Sequence, residues 1–134
     1  MEKENKEIDL SLMKGKKGII MGVANDHSIA WGISKSLAAA GAELAFSYQS
    51  ETLKKRVQPL ASSINSDIVL PCDVEDSDQI KRFFKDVGDK LGNIDFLVHA
   101  IAFSDKEQLK GAYYNTTKDN FIRTMVISCY SFTE

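Results

Sequence analysis

The stretch KKGIIMGVANDHSIAWG, residues 16–32, predicts a buried strand, a glycine turn and the start of a helix. Its apolar run, residues 18–21, lacks the alternation of a half-exposed strand, as expected for a parallel strand that is covered on both faces. Gly22 allows a tight turn out of the strand, and Ser28 is a residue type that favours helix N-caps. A helix that starts there presents free N–H groups and a positive dipole end to a phosphate group. Gly32 lacks a side chain, so close approach of helix, strand and ligand is expected there.

This turn does not have the spacing G-x-G-x-x-G. By itself it is therefore equally compatible with a phosphate-binding turn and with an ordinary connection between a strand and a helix. The rest of the chain supplies the context that separates these two interpretations.

Hydrophobic periodicity predicts that strands and helices alternate along the whole chain. The predicted strands are residues 17–23, 42–48, 67–70 and 94–100, and the predicted helices are residues 29–40, a helix from 51, 77–91 and 117–134. Pro59 is expected to kink the second helix or to end its first part, and Pro71 to stop the third strand. The apolar face of the first helix is predicted to carry Ile29, Ile33, Leu37 and Ala40. Four strands that alternate with four helices predict an α/β fold, a doubly wound parallel (Rossmann) sheet with strand order 3-2-1-4.

In such a sheet, ligands bind outside the carboxyl ends of the strands, where the strand order reverses. Gln49 follows the second strand, and its amide can bind ribose hydroxyls; the alternative is a solvated turn residue. Asp73 follows the third strand and can accept a hydrogen bond from the amino group of adenine, with the backbone of Val74 assisting. The alternative is that Asp73 serves a turn or caps the next helix. Because Gln49 is neutral, a 2′-phosphate is repelled less than by a carboxylate, and residues 54–56 (KKR) could reach one.

Composition narrows the class of protein. The 134 residues are 43% hydrophobic and 27% charged, which is ordinary for one soluble domain with a core. The net charge of −2 predicts no attraction to nucleic acid or to an anionic membrane. Residues 1–17 lack the apolar core of a signal peptide and no stretch has transmembrane length, so a cytoplasmic location is expected.

Cysteine and histidine residues are few and scattered. Cys72 and Cys129 cannot build a disulfide framework and lack metal-ligand spacing, so they are interpreted as buried free thiols. His27 and His99 lie apart from any cysteine or carboxylate cluster. No metal site is therefore predicted.

Four segments together resemble a known family: GVANDHSIAWGI (22–33), AGAELAFSYQ (40–49), SDIVLPCDV (66–74) and FLVHAIAF (96–103). In content and order they are similar to the enoyl-[acyl-carrier-protein] reductases of bacterial type II fatty-acid synthesis, divergent members of the short-chain dehydrogenase/reductase superfamily. The family pattern G-x(5)-S-I-A-x-G is matched within residues 22–32. The departure from G-x-G-x-x-G is thus itself a mark of this family.

The resemblance implies an enzyme that binds NAD as NADH and reduces the trans-2 double bond of an acyl chain carried on acyl carrier protein. The implied NAD contacts are Gly22, Ser28 and Ile29 at the pyrophosphate, Gln49 at the adenosine ribose, Asp73 and Val74 at adenine, and Ile101 near the nicotinamide-side ribose. Ser104 is implied to contact substrate through its backbone. Another short-chain reductase, such as a ketoreductase, and a non-catalytic NAD-binding module remain alternatives.

The resemblance also implies what this chain lacks. The catalytic tyrosines and the lysine of the family come after the position of Glu134, so the chain is expected to contain no catalytic acid. It is interpreted as the amino-terminal half of a longer enzyme, with a mobile leader at residues 1–14 and part of one dinucleotide-binding domain at 15–134. Such a half is expected to fold poorly and to be inactive alone.

The last predicted helix is apolar on two sides. One side carries Phe121, Met125, Cys129 and Phe132, and the other carries Ile122, Val126 and Tyr130. A helix of this kind must be buried on both sides, so one side is expected to cover the sheet and the other to meet more chain or a partner subunit. Members of the superfamily are usually tetramers, which implies a homotetramer for the full-length protein.

Overall fold

The computed structural model describes residues 11–134. Residues 1–10 of the predicted leader lie outside the described residues. The strands are β1 Lys17–Met21, β2 Glu43–Tyr48, β3 Val69–Pro71 and β4 Phe96–His99, and the helices are α1 Ile29–Ala39, α2 Glu51–Ser63, α3 Ser77–Leu91, α4 Lys118–Met125 and α5 Ser131–Thr133. A π-helical turn, Val126–Tyr130, joins α4 to α5, and 3-10 turns occupy Lys106–Leu109 and Tyr113–Asn115.

The four strands form one parallel sheet with the order β3-β2-β1-β4, which confirms the predicted doubly wound topology. β1 lies in the centre, where Ile19 pairs with Ala45 of β2 and with Leu97 of β4. Because the chain crosses from one side of β1 to the other between β3 and β4, the carboxyl ends of β1 and β4 border the reversal point of the sheet.

Both faces of β1 are buried, as its unbroken apolar run predicts. Ile19 packs with α3 in one cluster, and Ile20 packs with α1 and α2 in another. The α3 cluster includes the buried side chains of Phe83 and Val87. Trp31 of α1 is a core residue of the other cluster and is only 5% exposed. The sheet is therefore covered on both sides by helices.

The predicted face of α1 is wrong in part: Leu37 packs against the core, but the isoleucines before it do not. Ile29 is 81% exposed and Ile33 is also exposed, whereas α1 buries Ala30, Trp31 and Ser34. The large indole of Trp31 sets the orientation of this helix, because its burial removes more apolar surface from water than that of an isoleucine.

The effect expected of the two prolines is also wrong in part. α2 continues through Pro59 to Ser63. Val57 and Ala61, on either side of Pro59, are fully buried, and their packing offsets the hydrogen bond that proline cannot make. Pro71 is the last residue of β3 rather than its stop, which an edge strand tolerates because one side of its backbone needs no partner.

The segment after β4 differs most from its prediction. Between α4 and α5 the helix contains a π turn, and the buried residues of the segment are Ile127 and Ser131. Both predicted apolar sides face outward, since the exposed large side chains include Phe121, Ile122, Met125, Val126, Tyr130 and Phe132. Phe132 meets the ring of His99 in β4, at 5.6 Å between ring centroids, but the predicted burial of one whole side against the sheet is wrong. Within residues 11–134, none of the helices has the length and apolar character needed to cross a membrane.

Candidate functional site

A cleft of about 240 Å³ lies at the carboxyl ends of all four strands. Its lining includes the residues that directly follow each strand, which is the position that the fold predicts for a ligand site. Of the predicted contacts, the lining contains Gly22, Gln49, Asp73, Val74 and Ile101. Ser28, Ile29 and Ser104 lie outside this lining.

Gly22 lines the cleft where the ends of β1 and β4 meet. Its φ is +108°, a backbone conformation that residues with a side chain rarely adopt. A β-carbon at this position would overlap the backbone carbonyl of Ala100, whose own N–H donates to the Met21 carbonyl at 2.9 Å. Only glycine therefore allows the two strand ends to meet.

Gly32 does not bring α1 close to a strand, which was part of the role expected of it. A β-carbon on Gly32 would meet no atom of the described residues within 4 Å, and the residue is exposed on α1. The close approach of protein backbone that was predicted for Gly32 occurs instead at Gly22, and the approach of the ligand to Gly32 stays a prediction.

Ser28 holds the glycine turn rather than the helix. Its Oγ accepts hydrogen bonds from the backbone N–H of Ala24 at 3.0 Å and of Asn25 at 3.1 Å. Ser28 does occupy the N-cap position of α1, but its side chain makes no cap hydrogen bond. The predicted N-cap position of Ser28 is thus confirmed, and the first turn of α1 keeps N–H groups that an anion can bind.

Gln49 is exposed at the end of β2, where Ser50 caps α2 by accepting from the N–H of Leu53 at 3.4 Å. The basic stretch that follows does not line the cleft. Lys54 Nζ lies 3.8 Å from Glu51 and 5.6 Å from the centroid of the Tyr48 ring. The nearest lysine in sequence is thus already engaged by its neighbours.

Asp73 forms the turn after β3. Its Oδ1 accepts from the N–H of Glu75 at 3.0 Å, and its own N–H donates to Gln79 Oε1 at 3.1 Å. The cap of α3 is Asp76, whose carboxylate accepts from the N–H groups of Asp78 and Gln79. Hydrogen bonds from the backbone and side chain of Gln79 lower the pKa of Asp76. Asp73 therefore serves a turn, which is one of the structural roles predicted for it, and it does not cap α3.

Cys72 lies at the floor of the cleft and is 3% exposed. Burial, together with the nearby carboxylates of Asp73 and Asp76, raises the pKa of its thiol to about 11. A protonated thiol is a poor nucleophile, so Cys72 serves as a packing residue. Cys129 is exposed, which corrects the prediction that both thiols are buried.

The loop after β4 carries Ile101 into the cleft and is held by α4 and the π turn. The N–H of Phe103 donates to Ser128 Oγ at 3.0 Å, and that hydroxyl lies 3.2 Å from the Phe103 carbonyl. Asn120 Nδ2 donates to Ser104 Oγ at 3.2 Å, and Asn120 Oδ1 accepts from the N–H of Asp105 at 3.0 Å. The hydroxyl of Ser104 is thus used within the protein.

His99 is similarly used for structure. Its Nε2 lies 2.8 Å from Ser131 Oγ, which donates to the Ile127 carbonyl at 2.7 Å. Since this hydroxyl gives its proton to Ile127, His99 must donate to it from Nε2. Within residues 11–134, no group of three or more His, Cys, Asp or Glu side chains is arranged to hold a metal ion.

Sequence reasoning missed Glu75 and Arg123, which form an ion pair at the cleft. It also missed Asn120 and Ser128, because it searched this segment for apolar residues. For Asn120 the available signal was its spacing with Thr124 and Ile127, which places the three on one face of a helix. All of them are buried or half-buried.

Comparison with known proteins gives a consistent family. The family model described as enoyl-(acyl carrier protein) reductase matches residues 22–134. A curated relative, enoyl-[acyl-carrier-protein] reductase [NADH] 2 of Rhizobium meliloti (strain 1021), is 65% identical over 123 residues, covering 92% of this chain and 46% of the relative.

Solved structures of enoyl-acyl-carrier-protein reductases also align closely with this chain. FabI from Candidatus Liberibacter asiaticus aligns with a TM-score of 0.91 and 56% identity, over 92% of this chain and 48% of that one. The enoyl-(acyl-carrier-protein) reductase of Anaplasma phagocytophilum, solved in complex with NAD, aligns with a TM-score of 0.88 and 56% identity, over 91% of this chain and 47% of that one. The chain spans about half the length of the curated relatives it matches. With its glycine turn, its strand order and these matches, the chain belongs to the enoyl-(acyl carrier protein) reductase family.

Proposed function

We propose that this chain forms the NADH-binding part of an enoyl-acyl-carrier-protein reductase of fatty-acid elongation, with residues 15–134 as part of one dinucleotide-binding domain. The observation that carries the proposal is the contact between Gly22 and Ala100, which joins the ends of β1 and β4 and opens the cleft beside them. A dinucleotide lies across this point of a doubly wound sheet.

The pyrophosphate is assigned to the backbone around Gly22, Ser28 and Ile29. The Ser28 hydroxyl folds the turn and leaves the first N–H groups of α1 for an anion. Because the Ile29 side chain is 81% exposed, its contribution is assigned to its backbone N–H. The expected effect is charge stabilisation by N–H groups and the helix dipole.

The adenosine half is assigned to Gln49, Asp73 and Val74. The Gln49 amide can both donate to and accept from ribose hydroxyls. Among the described residues, Asp73 Oδ1 accepts from Glu75, and Oδ2 accepts no hydrogen bond and remains for the amino group of adenine. The side chain of Val74 is buried, so its contact is through the backbone. This set of donors and acceptors fits adenosine.

The nicotinamide side is assigned to Ile101, and the substrate contact to the backbone of Ser104. Both lie on the loop that Ser128 and Asn120 hold. When bound, NADH supplies the hydride that reduces the trans-2 double bond of an acyl chain carried on acyl carrier protein. The part of this chain is to bind and orient the cofactor, and we assign no catalytic acid among residues 11–134.

NADH rather than NADPH is the proposed cofactor. None of residues 54–56 lines the cleft, and Lys54 is paired with Glu51. A 2′-phosphate beside Gln49 would therefore lack a ready cationic partner.

A homotetramer in the cytoplasm is proposed for the full-length protein. The outward face of α4 and the π turn exposes Phe121, Ile122, Met125, Val126 and Tyr130. Contiguous apolar side chains of this size mark surfaces that another polypeptide covers. Light scattering coupled to size exclusion gives the oligomeric state directly.

An assay of NADH absorbance tests the function. It uses the full-length protein with a trans-2-enoyl thioester of acyl carrier protein as the substrate. We expect NADH oxidation with the enoyl thioester and none with a 3-ketoacyl thioester. Turnover with the ketoacyl substrate in place of the enoyl one would assign a ketoreductase. Tight NADH binding without turnover on either substrate would assign a binding module.

A further inference from the structure

Arg123 of α4 and Glu75 of the β3–α3 loop form a bidentate ion pair at the cleft. Arg123 Nε donates to Glu75 Oε1 at 2.8 Å, and Nη2 donates to Oε2 at 3.0 Å. These hydrogen bonds lower the pKa of Glu75 and raise that of Arg123. Paired N–H···O bonds between a guanidinium and a carboxylate fix the orientation of both groups. The pair therefore ties the β3–α3 loop to a helix 48 residues later in the chain.

On one side, the pair reaches the residue assigned to adenine. The N–H of Glu75 donates to Asp73 Oδ1 at 3.0 Å. The position of Glu75 thus sets the direction of the Asp73 carboxylate, whose other oxygen is the one proposed to face the cofactor. Asp73 is held from the other direction by Gln79, through its backbone N–H.

On the other side, the pair reaches the loop that carries Ile101. The guanidinium carbon of Arg123 lies 4.5 Å from the centroid of the Phe103 ring, within the range of a cation–π contact. Ser128 holds the backbone of Phe103. Arg123 therefore contacts two of the loops that border the cleft, the one after β3 and the one after β4.

The charges of the residues that line the cleft also favour a role of Arg123 in cofactor binding. The lining contains two carboxylates, Asp73 and Glu75, and one cation, Arg123. A dinucleotide is anionic, so a second unneutralised carboxylate in the cleft disfavours its binding. Arg123 neutralises Glu75 at this place.

We propose that Arg123 is a positioning residue of the cofactor site: paired with Glu75 and stacked on Phe103, it holds the loops after β3 and β4 in the arrangement that binds NADH. The inference rests on the proposed function. The Glu75–Arg123 pair differs from an ordinary surface ion pair because its loss weakens cofactor binding as well as stability.

The test compares NADH dissociation constants and melting temperatures of Arg123→Gln, Arg123→Lys, Glu75→Gln and the double variant Glu75→Gln/Arg123→Gln, in the protein as its gene encodes it. We expect Arg123→Gln to raise the dissociation constant about five- to tenfold, because it removes both the ion pair and the ring contact. Arg123→Lys keeps the charge but not the bidentate geometry, so an intermediate value is expected.

The double variant reports whether the two residues act together. Because Glu75 and Arg123 act as a pair, we expect it to bind NADH no more weakly than Arg123→Gln alone. The matched control is Lys85→Gln, which breaks an ion pair of 2.8 Å with Asp89 on α3, away from the cleft. The control is expected to leave the dissociation constant unchanged.

Two results would overturn the inference. One is a lower melting temperature of Arg123→Gln with an unchanged dissociation constant, which would reduce the pair to a structural role. The other is a double variant whose loss equals the product of the two single losses. If the unsubstituted protein does not bind NADH, the proposed function fails, and this result is distinct from a failure confined to the variants.

Discussion

Two serine hydroxyls hold the two sides of the cleft, and they differ in how far along the chain they reach. Ser28 accepts from the N–H groups of Ala24 and Asn25, four and three residues earlier. Ser128 accepts from the N–H of Phe103, which is 25 residues away. One side is therefore a local turn that closes on itself, and the other is a loop that a distant helix must hold.

This difference determines which other elements of the fold each side of the cleft depends on. The glycine turn needs only β1 before it, α1 after it and the end of β4 beside it. The loop after β4 needs α4 and the π turn in place, together with Asn120 and Ser128 on them. We therefore expect substitutions in the turn to act mainly on the turn, and substitutions in the helix to act at a distance.

The largest expected effect is that of Gly22→Ala. The substitution places a β-carbon into the Ala100 carbonyl at a φ of +108°. Backbone strain and the overlap together are expected to cost about 3 kcal/mol or more of unfolding free energy. Chemical unfolding measures this cost, and loss of NADH binding is expected with it.

Gly32→Ala is the matched control for that prediction. Gly32 lies inside α1, and an added β-carbon meets no described atom within 4 Å. Replacing a helical glycine is expected to stabilise the fold by about 0.5–1 kcal/mol. Equal losses from the two substitutions would contradict the special role of Gly22. A loss of NADH binding in the stable Gly32→Ala variant would place the cofactor against α1.

Ser28→Ala is expected to have the next largest effect. It removes the acceptor of two backbone N–H groups, one of them partly buried. We expect a loss of about 1–2 kcal/mol in unfolding free energy, since each lost hydrogen bond contributes about 1 kcal/mol. Ser28→Thr keeps the hydroxyl and is the control. A Ser28→Ala protein as stable as the unsubstituted one would show that solvent satisfies both amides.

The strand order, the glycine turn and most strand-end residues of the cleft were predictable because their signals are local. An apolar run followed by Gly22 is a pattern within a few residues, and α3 carries a regular apolar face over Ser77–Leu91. The position of Asp73 and Gln49 then follows from the general rule that ligands bind at the carboxyl ends of parallel strands.

The helical side of the cleft was not predictable in the same way. The π turn adds a residue to one helical turn, so the regular spacing drawn from Phe121 through Phe132 does not hold across Val126–Tyr130. The residues that face the protein body include Asn120 and Ser131, which a search for apolar stripes passes over. Arg123 and Glu75 meet only in the folded chain, and no short pattern contains both.

Ser128→Ala tests the side of the cleft that α4 and the π turn hold. The substitution frees the N–H and the carbonyl of Phe103, both near solvent, so we expect a loss of only about 0.5–1 kcal/mol in unfolding free energy. Ser128→Ala is expected to weaken NADH binding more than a surface substitution that lowers the unfolding free energy by the same amount. The reason is that the loop it frees carries Ile101. Hydrogen exchange of the Phe103 amide measures the release directly. No change in that exchange would contradict the role of Ser128.

The smallest expected effect is the acid dependence of the Glu75–Arg123 pair. The pKa of Glu75 is lowered by the Arg123 hydrogen bonds, so Glu75 releases its proton more readily in the folded state than in the unfolded one. The stability that it adds is therefore present above the ordinary pKa of a glutamate and is lost as pH falls through the lower folded value. Since the pair is exposed, the contribution is expected to stay below about 1 kcal/mol. Unfolding free energies of the unsubstituted protein and of Glu75→Gln are expected to differ at pH 6 and to converge as pH falls below 4. A difference that persists unchanged at pH 3 would show that the glutamine variant loses packing rather than charge.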